Sequence, residues 1–457
     1  MPYITTKREA HVQVTFEELL AGPVQESAFG DTPQSATWTY LVREPRPEFL
    51  SRFALQGTIN TLAAFNRKHA ELFEKPCGEL YRTFHIPKKG RGLDPLERYE
   101  DGVRRRRGII SNLESDIATI KRDGGEDAMR RCIVKEKILV QKREELKKYI
   151  DDHRKIDAPK DELMLALREL KQIFERDCFA LYHTSAYAYV PGRCTIDALK
   201  CHQRNKSNWY CKLDFANFFG KTTPEFVLRM LTDIFPFSEI CKREDGRREL
   251  TKALDLCFLT GTDPQNPQAQ GLPQGTPISP MLTNLMMISI DHALTKRFRE
   301  YQKLDLQTQE LVPQPMVYTR YADDLLITCR QGFSSDEAQQ IVNEVLAYFH
   351  APFAIKPEKT RYGSSSGSNW NLGLMLNKDN QITIGHQKKK HFHAMVNNYI
   401  LDRLNGSAWP LDDIMQLRGL ISYYKMVEKA VIEGIITHYD QKYRVDTMAM
   451  IKADIAA

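Results

Sequence analysis

Two adjacent carboxylates, Asp323 and Asp324, lie between two apolar segments of the chain. These segments, residues 316–318 and 325–328, contain β-prone residues and predict a hairpin with the acids at its turn. Neighbouring like charges repel each other, so the pair favours a bound cation. Mg²⁺ is the natural candidate because it prefers carboxylates together with substrate phosphates. Alone, an Asp-Asp pair more often marks a solvated turn.

A third carboxylate, Asp214, follows another apolar segment, residues 209–213. By itself it is an ordinary strand end. Together with Asp323 and Asp324 it gives three carboxylates on two predicted strands. Three such acids are the minimum set for a two-metal site that clamps the attacking and leaving oxygens of a phosphoryl transfer.

A segment rich in glycine and proline, residues 270–280, lies between the first acid and the other two. Its glycines permit close backbone approach and its prolines make it rigid. It leads into an apolar segment, residues 281–287, that is predicted to be helical. A loop that opens a helix in this way suits a nucleotide or a nucleic-acid backbone, although a simple proline-rich turn is the alternative.

In order and spacing, Asp214, the loop at 270–280 and the turn Tyr321-Ala322-Asp323-Asp324 resemble the palm of a reverse transcriptase. The pattern resembles the bacterial retron and group II intron branch more than the retroviral one, and it spans roughly residues 78–430. The resemblance implies an α+β fold of the right-hand polymerase type. It has fingers, a palm built on an antiparallel sheet, and a helical thumb.

The resemblance also implies a catalytic set. Asp214, Asp323 and Asp324 would hold two Mg²⁺ ions, with Mn²⁺ as an alternative, and the backbone carbonyl of Phe215 would add a ligand. Lys359 resembles the lysine that follows the catalytic hairpin, and it is a candidate general acid for the leaving pyrophosphate. Its alternative is a surface lysine.

Five residues are predicted to bind the incoming nucleotide. Lys88 and Arg154 would neutralise its phosphates, and Gln274 with Gly275 would contact it from below. Phe219 lies five residues after Asp214, where the family has an aromatic gate against the ribose 2′-hydroxyl. Phe219 is also a candidate core residue that pairs with its neighbour.

Further positions are assigned by resemblance. Leu372 and Gly373 match the primer-grip hairpin. His183, Tyr187 and Tyr189 lie where the family contacts template, and the alternative is that they are core aromatic residues. The lysine run at 388–390, which contains Lys388, Lys389 and Lys390, is a weaker candidate for RNA binding.

The fingers depart from the family pattern. The segment that contains Lys88 and the segment that contains Arg154 lie close together in the family, whereas here residues 101–152 separate them. The spacing of Ile110, Leu113, Ile117 and Ile120 predicts a first helix. Met129, Ile133, Leu139, Leu146 and Ile150 predict a second one. Four arginines open this insertion, namely Arg104, Arg105, Arg106 and Arg107. A solvated helical face, an RNA clamp and a self-association arm all stay open.

These patterns predict four units: an N-terminal extension at 1–77 with a helix near 48–73, fingers at 78–200, a palm at 201–383 and a helical thumb at 384–457. The net charge of +6 permits binding of nucleic acid without arguing strongly for it. The nine cysteines contain no Cys-x-x-Cys pair, which is typical of free thiols in a reducing compartment. No apolar run is long enough to span a membrane, so a cytoplasmic location is expected.

The function predicted from the resemblance is RNA-directed DNA synthesis. The expected partners are a structured non-coding RNA template, deoxynucleotides and a DNA product, and homo-oligomerisation stays open. The favoured biological setting is a stand-alone enzyme of antiphage defence. The alternatives are a retron enzyme, template-independent or protein-primed synthesis by the same palm, RNA synthesis, and a non-catalytic RNA-binding relative. Retention of all three aspartates argues against the last of these.

Overall fold

The computed structural model of the chain describes residues 54–88, 98–178, 182–304, 307–364 and 373–456. Most of the predicted N-terminal extension lies outside these ranges. Where one helix was predicted near 48–73, the described part forms two, α1 (Leu55–Lys68) and α2 (Ala70–Glu74), separated by His69. The apolar positions of α1 are buried against the core, which explains the periodicity seen in the sequence.

The fingers region begins with a short helix and a strand, α3 (Cys77–Leu80) and β1 (Tyr81–Pro87). Two long helices follow, α4 (Tyr99–Asp123) and α5 (Glu126–Asp151), joined by two glycines with positive φ. We call these two helices the arm. Lys121 pairs with Glu136 at 2.8 Å and Glu114 pairs with Arg143 at 2.6 Å, so the helices run antiparallel.

The apolar seam of the arm differs from the prediction in its second helix. On α4 the buried positions include Ile117, as the spacing indicated. On α5, Met129, Ile133 and Ile150 are instead exposed. The buried side chains there are those of Ala128, Cys132 and Tyr149. The predicted helix is present and Leu139 and Leu146 are half-buried, but the prediction was wrong at Met129, Ile133 and Ile150, because small and aromatic residues fill the seam there. The spacing of the exposed aliphatic residues therefore did not mark the buried face of α5.

Gly102 lets α4 approach Tyr149, a buried residue of α5. A Cβ at residue 102 would overlap the Tyr149 ring, whereas a Cβ at Gly108, on the same helix, would meet no atom within 4 Å. We therefore expect Gly102→Ala to lower the free energy of unfolding by about 1–3 kcal/mol. Gly108→Ala should raise it by up to about 1 kcal/mol, because alanine is the better helix former. Urea unfolding of both variants tests this contrast, and an equal gain in both would contradict it.

The chain returns from the arm as β2 (His153–Pro159), which pairs antiparallel with all of β1 and places Phe84 opposite Ile156. The two basic segments predicted from the sequence are therefore joined in one ribbon, despite the long stretch between them. The next helix, α6 (Asp161–Arg176), buries every apolar position that was predicted for it. They are Leu163, Leu167, Leu170 and Phe174.

The palm region alternates helices with short and long strands. Its helices are α7 (Thr195–Arg204), α8 (Pro224–Leu231), α9 (Phe237–Lys242), α10 (Glu244–Asp255), α11 (Ser279–Met286), α12 (Ile288–Arg299) and α13 (Ser335–Tyr348). Its strands are β3 (Trp209–Asp214), β4 (Leu259–Thr260), β5 (Gln270–Gly271), β6 (Gln302–Leu304), β7 (Leu311–Pro313), β8 (Val317–Tyr321), β9 (Asp324–Cys329) and β10 (Arg361–Ser364). The predicted hairpin of β8 and β9, with the acids at its turn, is confirmed.

Four of these strands form one antiparallel sheet in the order β10-β3-β9-β8. Both faces of the sheet are covered. Leu213 and Ile327 face the main core, which the palm and fingers helices build, while Tyr210 and Leu326 face a second core under the thumb. Because successive side chains point to opposite faces, a strand that is buried on both sides reads as a continuous apolar run.

The thumb region begins near a small hairpin of β11 (Met375–Leu376) and β12 (Ile382–Thr383). Three helices follow, α14 (His386–Leu404), α15 (Leu411–Tyr443) and α16 (Thr447–Ala456). Helix α15 is kinked at Glu428. The Glu428 carboxylate accepts hydrogen bonds from Thr383 and from the backbone of Ile384, so it ties the kink to the hairpin.

Candidate active site

The three aspartates lie together at one end of the palm sheet. Asp214 is the last residue of β3 and stands directly opposite Asp324, the first residue of β9. Asp323 occupies the turn before β9, and its backbone carbonyl accepts a hydrogen bond from the Phe215 amide at 3.1 Å. Strand pairing therefore brings together acids that are more than a hundred residues apart in the chain.

Three lysines supply positive charge to these acids. Lys359 donates to both oxygens of Asp214 at 3.0 and 2.9 Å, and Lys356 lies 3.0 Å from the same carboxylate. Lys212 donates to Asp324 at 3.1 Å. Lys356 is also fixed through its backbone, since its amide donates to the Asp214 carbonyl at 2.8 Å.

The electrostatics of the cluster follow from burial and from crowding of like charge. Burial raises the pKa of Asp323, and the nearby charges of Asp214 and Asp324 raise it further. Burial also raises the pKa of Asp324, although Lys212 opposes the shift. Burial lowers the pKa of Lys359, but its bonds to Asp214 outweigh that effect, and its pKa lies above the ordinary value.

The three carboxylates are chemically suited to divalent cations, although they are not preassembled as a coordination site. Hard cations such as Mg²⁺ bind carboxylate oxygens, and Asp214 and Asp324 lie near enough to Asp323 for their charges to add to the effect of burial in raising its pKa. Within the described ranges, however, no three His, Cys, Asp or Glu side chains converge closely enough to form a preassembled site. The positive charge among the acids comes instead from the three lysines.

The residues predicted to bind phosphate are Lys88, which follows β1, and Arg154 on β2. Burial lowers the pKa of Lys88, and the positive charges of Arg154, Lys359 and Lys356 lower it further. The negative charge of Asp151 acts in the opposite direction and raises it. Lys88 also donates to the Asp151 carbonyl. Four cations from the fingers and the palm are therefore near enough to act on one another. The positive electrostatic potential that these cations create suits a polyanion.

The loop predicted to lie beneath the nucleotide is docked onto the fingers ribbon. The Asp157 amide donates to the Gln274 carbonyl at 2.9 Å. Gly275 has a φ of +121°, and a Cβ there would approach Ile156 to 3.1 Å. Glycine is thus required at 275 by both backbone conformation and close contact. The loop places Gln274 and Gly275 beside the strand that carries Arg154.

Phe219 is partly buried beside this loop. Its ring packs edge-on against Phe218 at 5.7 Å, and its backbone carbonyl accepts a hydrogen bond from Leu272 at 3.0 Å. The core interpretation of Phe219 agrees with this packing, and its role as a gate stays a prediction. The ring packs on a core residue, and its backbone is fixed to the loop that carries Gln274.

The predicted primer grip is described only in part, since Leu372 lies outside the described residues. Gly373 has a φ of +88°, and its carbonyl accepts a hydrogen bond from Lys388 at 2.6 Å. Lys389 pairs with Glu428 at 2.6 Å. Two of the three lysines predicted to bind RNA are therefore engaged in contacts within the protein. This weighs against their role as phosphate contacts.

The arginine run lies on α4, the first helix of the arm. Arg104 is 3.7 Å from Asp101, and the Arg106 guanidinium stacks on the Tyr149 ring at 3.7 Å. The run is thus partly structural.

Sequence reasoning missed several residues of the site. Lys212 could have been found, because it precedes Asp214 by two positions on a strand and therefore shares its face. Lys356 and Arg320 gave no comparable signal. Arg320 is fully buried, and its side chain bonds to Asn284 of α11, Asp291 of α12 and Ala322 in the turn after β8.

The chain matches the reverse transcriptase (RNA-dependent DNA polymerase) family over residues 157–392. The match covers 236 of 457 residues, so the chain belongs to this family and is an RNA-directed DNA polymerase. It begins within β2, and the arm precedes it.

Three curated relatives are retron reverse transcriptases. The chain is 29% identical to the retron Ec83 enzyme of Escherichia coli over 59% of this chain and 77% of the relative. It is 24% identical to the retron Ec73 enzyme of Escherichia coli over 57% and 76%, respectively. It is 25% identical to the retron Mx162 enzyme of Myxococcus xanthus over 61% and 56%. The chain is therefore a bacterial retron-like reverse transcriptase.

Among solved structures, telomerase from Candida albicans overlaps 65% of this chain and 51% of its own, with 10% identity and a TM-score of 0.32. That score is too low to support a conclusion. In the described part of the chain, no helix combines the length and apolar character that a membrane span requires.

Proposed function

We propose that this enzyme copies a dedicated structured non-coding RNA into DNA, with Asp214, Asp323 and Asp324 as its metal-binding acids. The observation that carries this proposal is the strand register, which sets Asp214 opposite Asp324 beside the turn of Asp323. Two divalent ions held there supply activation of the primer hydroxyl and charge neutralisation at the triphosphate. The Phe215 carbonyl is the proposed backbone ligand.

The chain's own residues bind and orient the substrate. Lys88 and Arg154 contact the β- and γ-phosphates, for which the arginine fork is well suited. Gln274 and Gly275 form the floor under the nucleotide, and the Phe219 ring excludes a 2′-hydroxyl. Gly373 and its hairpin guide the primer end.

Lys359 is proposed to hold the proton that the leaving pyrophosphate takes up. Its raised pKa keeps it protonated at neutral pH, and it already lies on Asp214. We expect Lys359→Ala to lower kcat by about 10²-fold, within the range of general acid catalysis. Lys359→Arg keeps the charge but holds its proton too tightly to donate it. Single-turnover incorporation by both variants separates the two roles, since full rescue by arginine would leave only a charge effect.

The retron relatives favour a template RNA that is encoded for this enzyme. A retron enzyme was one of the alternatives predicted from the sequence, and the similarity to the Ec83 and Ec73 enzymes supports it. An antiphage role is a further hypothesis that rests on the family's bacterial settings. The arm, which lies before the matched segment, is proposed to be an insertion in the fingers.

The arm has 14 basic and 11 acidic residues between positions 99 and 151, a balance that fits RNA contact or self-association. Deleting residues 103–150 tests both uses, and unchanged RNA affinity and unchanged mass in solution would exclude them.

The decisive experiment is sequencing of nucleic acid that co-purifies with the wild-type protein and with Asp323→Ala/Asp324→Ala. A discrete RNA with complementary DNA, the DNA being lost in the variant, would establish templated synthesis and identify the template. Homopolymeric DNA would favour untemplated synthesis by the same palm. Absence of DNA in both samples would favour a binding role.

A further inference from the structure

Arg320, on β8 just before the catalytic turn, is a fully buried arginine with a complete set of partners. Its guanidinium makes a bidentate pair with the buried Asp291 of α12, with separations from 2.7 to 3.2 Å. It also donates to the Ala322 carbonyl at 3.1 Å and to the Asn284 side chain at 3.1 Å. A buried charge must be paired and hydrogen-bonded, and here every contact joins a different part of the palm.

The bond to Ala322 acts on the turn that carries Asp323. Ala322 has a φ of +58°, a left-handed conformation that alanine adopts only when its surroundings hold it there. Arg320 holds the peptide group before Asp323 through the Ala322 carbonyl. The Phe215 amide holds the peptide group after it through the Asp323 carbonyl. The direction in which the Asp323 side chain leaves the backbone depends on these two anchors.

The bond to Asn284 extends the network to a second loop. The Asn284 amide donates to the Ala188 carbonyl at 2.8 Å. The Arg320 backbone also bonds to Ser185 and Tyr187, at 2.7 and 2.9 Å. Tyr189, which follows Ala188 in that loop, is 54% exposed. It lies close enough to Asp323 for the charge of the carboxylate to act on the Tyr189 phenol.

We propose that Arg320 is a positioning residue that sets the Asp323 turn and the loop carrying Tyr189 relative to each other. This inference rests on the proposed role of Asp323 as a metal-binding acid. Neutralising Asp291 would need only one cationic group, which a lysine could provide. A planar guanidinium is needed to reach Asp291, Ala322 and Asn284 at once.

The test compares Arg320→Lys with Tyr318→Phe. Tyr318 donates to the same Asp291 oxygen at 2.8 Å but makes no bond to the turn, so its substitution disturbs the network without releasing Ala322. The readouts are single-turnover dNTP incorporation, the KM for dNTP and the melting temperature. For Arg320→Lys we expect kcat to fall by roughly 10- to 100-fold, with KM changed by less than about threefold, because small displacements at the reacting centre cost this much. For Tyr318→Phe we expect kcat within about twofold of wild type at a similar melting temperature.

Wild-type kcat in Arg320→Lys, or an equal loss in both variants at equal melting temperature, would overturn the proposal and leave Arg320 as a folding residue. If Arg320→Lys does not fold, Asn284→Ala is the second variant. It removes the hydrogen bond between Arg320 and Asn284, while Asp291 keeps Arg320 as its partner. A kcat loss supports the proposal, and wild-type kcat contradicts it. Asp323→Asn assayed in parallel separates the two hypotheses, since activity in that variant would refute the role of Asp323 itself.

Discussion

Replacement of Asp323 by asparagine will abolish DNA synthesis and at the same time stabilise the protein in the absence of divalent metal. The loss of activity should be on the order of 10³-fold or more, as expected when a group that organises transition-state charge is removed. The gain in stability follows from the environment of the carboxylate, because burial and the neighbouring acids raise its pKa.

The sign of the pH effect can be stated. An acid whose pKa is raised on folding binds its proton more tightly in the folded protein than in the unfolded chain. The stability of the metal-free wild type should therefore fall as the pH rises from about 3.9, the ordinary value for aspartate, through the raised pKa. Asparagine carries no charge, so the variant should lack this contribution and melt at a higher temperature at neutral pH.

Melting curves in EDTA and in Mg²⁺ measure this effect independently of activity. Added Mg²⁺ should stabilise the wild type more than Asp323→Asn. Asp127→Asn is the matched control, because Asp127 lies on the arm and its side chain is 92% exposed. If Asp323→Asn melts below the wild type in EDTA, the carboxylate is not under repulsion and the electrostatic account of the site is wrong.

Replacement of Phe219 by alanine will relax the discrimination against ribonucleotides. The ring is only partly buried beside the loop that carries Gln274. In the proposed gate role, its removal would open the space in which a 2′-hydroxyl clashes with it. We expect the ratio of kcat/KM for dNTP over rNTP to fall by roughly 10- to 100-fold, mainly because ribonucleotide use rises.

Phe219→Tyr is the matched control, because it keeps the ring and its packing against Phe218 and should retain the selectivity. The measurement is incorporation of each nucleotide on one primer–template under single-turnover conditions. If both nucleotides lose activity in parallel in Phe219→Ala, the ring is only a packing residue. The core interpretation of Phe219 would then be the correct one.

Much of the palm could be predicted from the sequence because its signals are local. A strand that is buried on both faces gives an apolar run, and acids at the ends of such runs are conspicuous. The residues of α6 were predicted correctly for a similar reason, since a helix packed on one face shows its period directly. The seam of α5 was predicted wrongly, because Ala128 and Cys132 are small and Met129 and Ile133, which are exposed, gave the stronger signal.

The sequence by itself determined the candidate residues for the chemistry: three aspartates at strand ends, a glycine- and proline-rich loop, an aromatic residue near the first acid, and two separated basic segments. The tertiary structure alone decided how these groups are held. Pairing of β1 with β2 rejoined the basic segments across the arm, and the lysine contacts of Asp214 and Asp324 came from separate strands and turns. Arg320 met Asp291, Asn284 and Ala322 only through packing of the sheet against α11 and α12. Contacts of this kind depend on long-range geometry, and the local periodicity of a sequence does not encode that geometry.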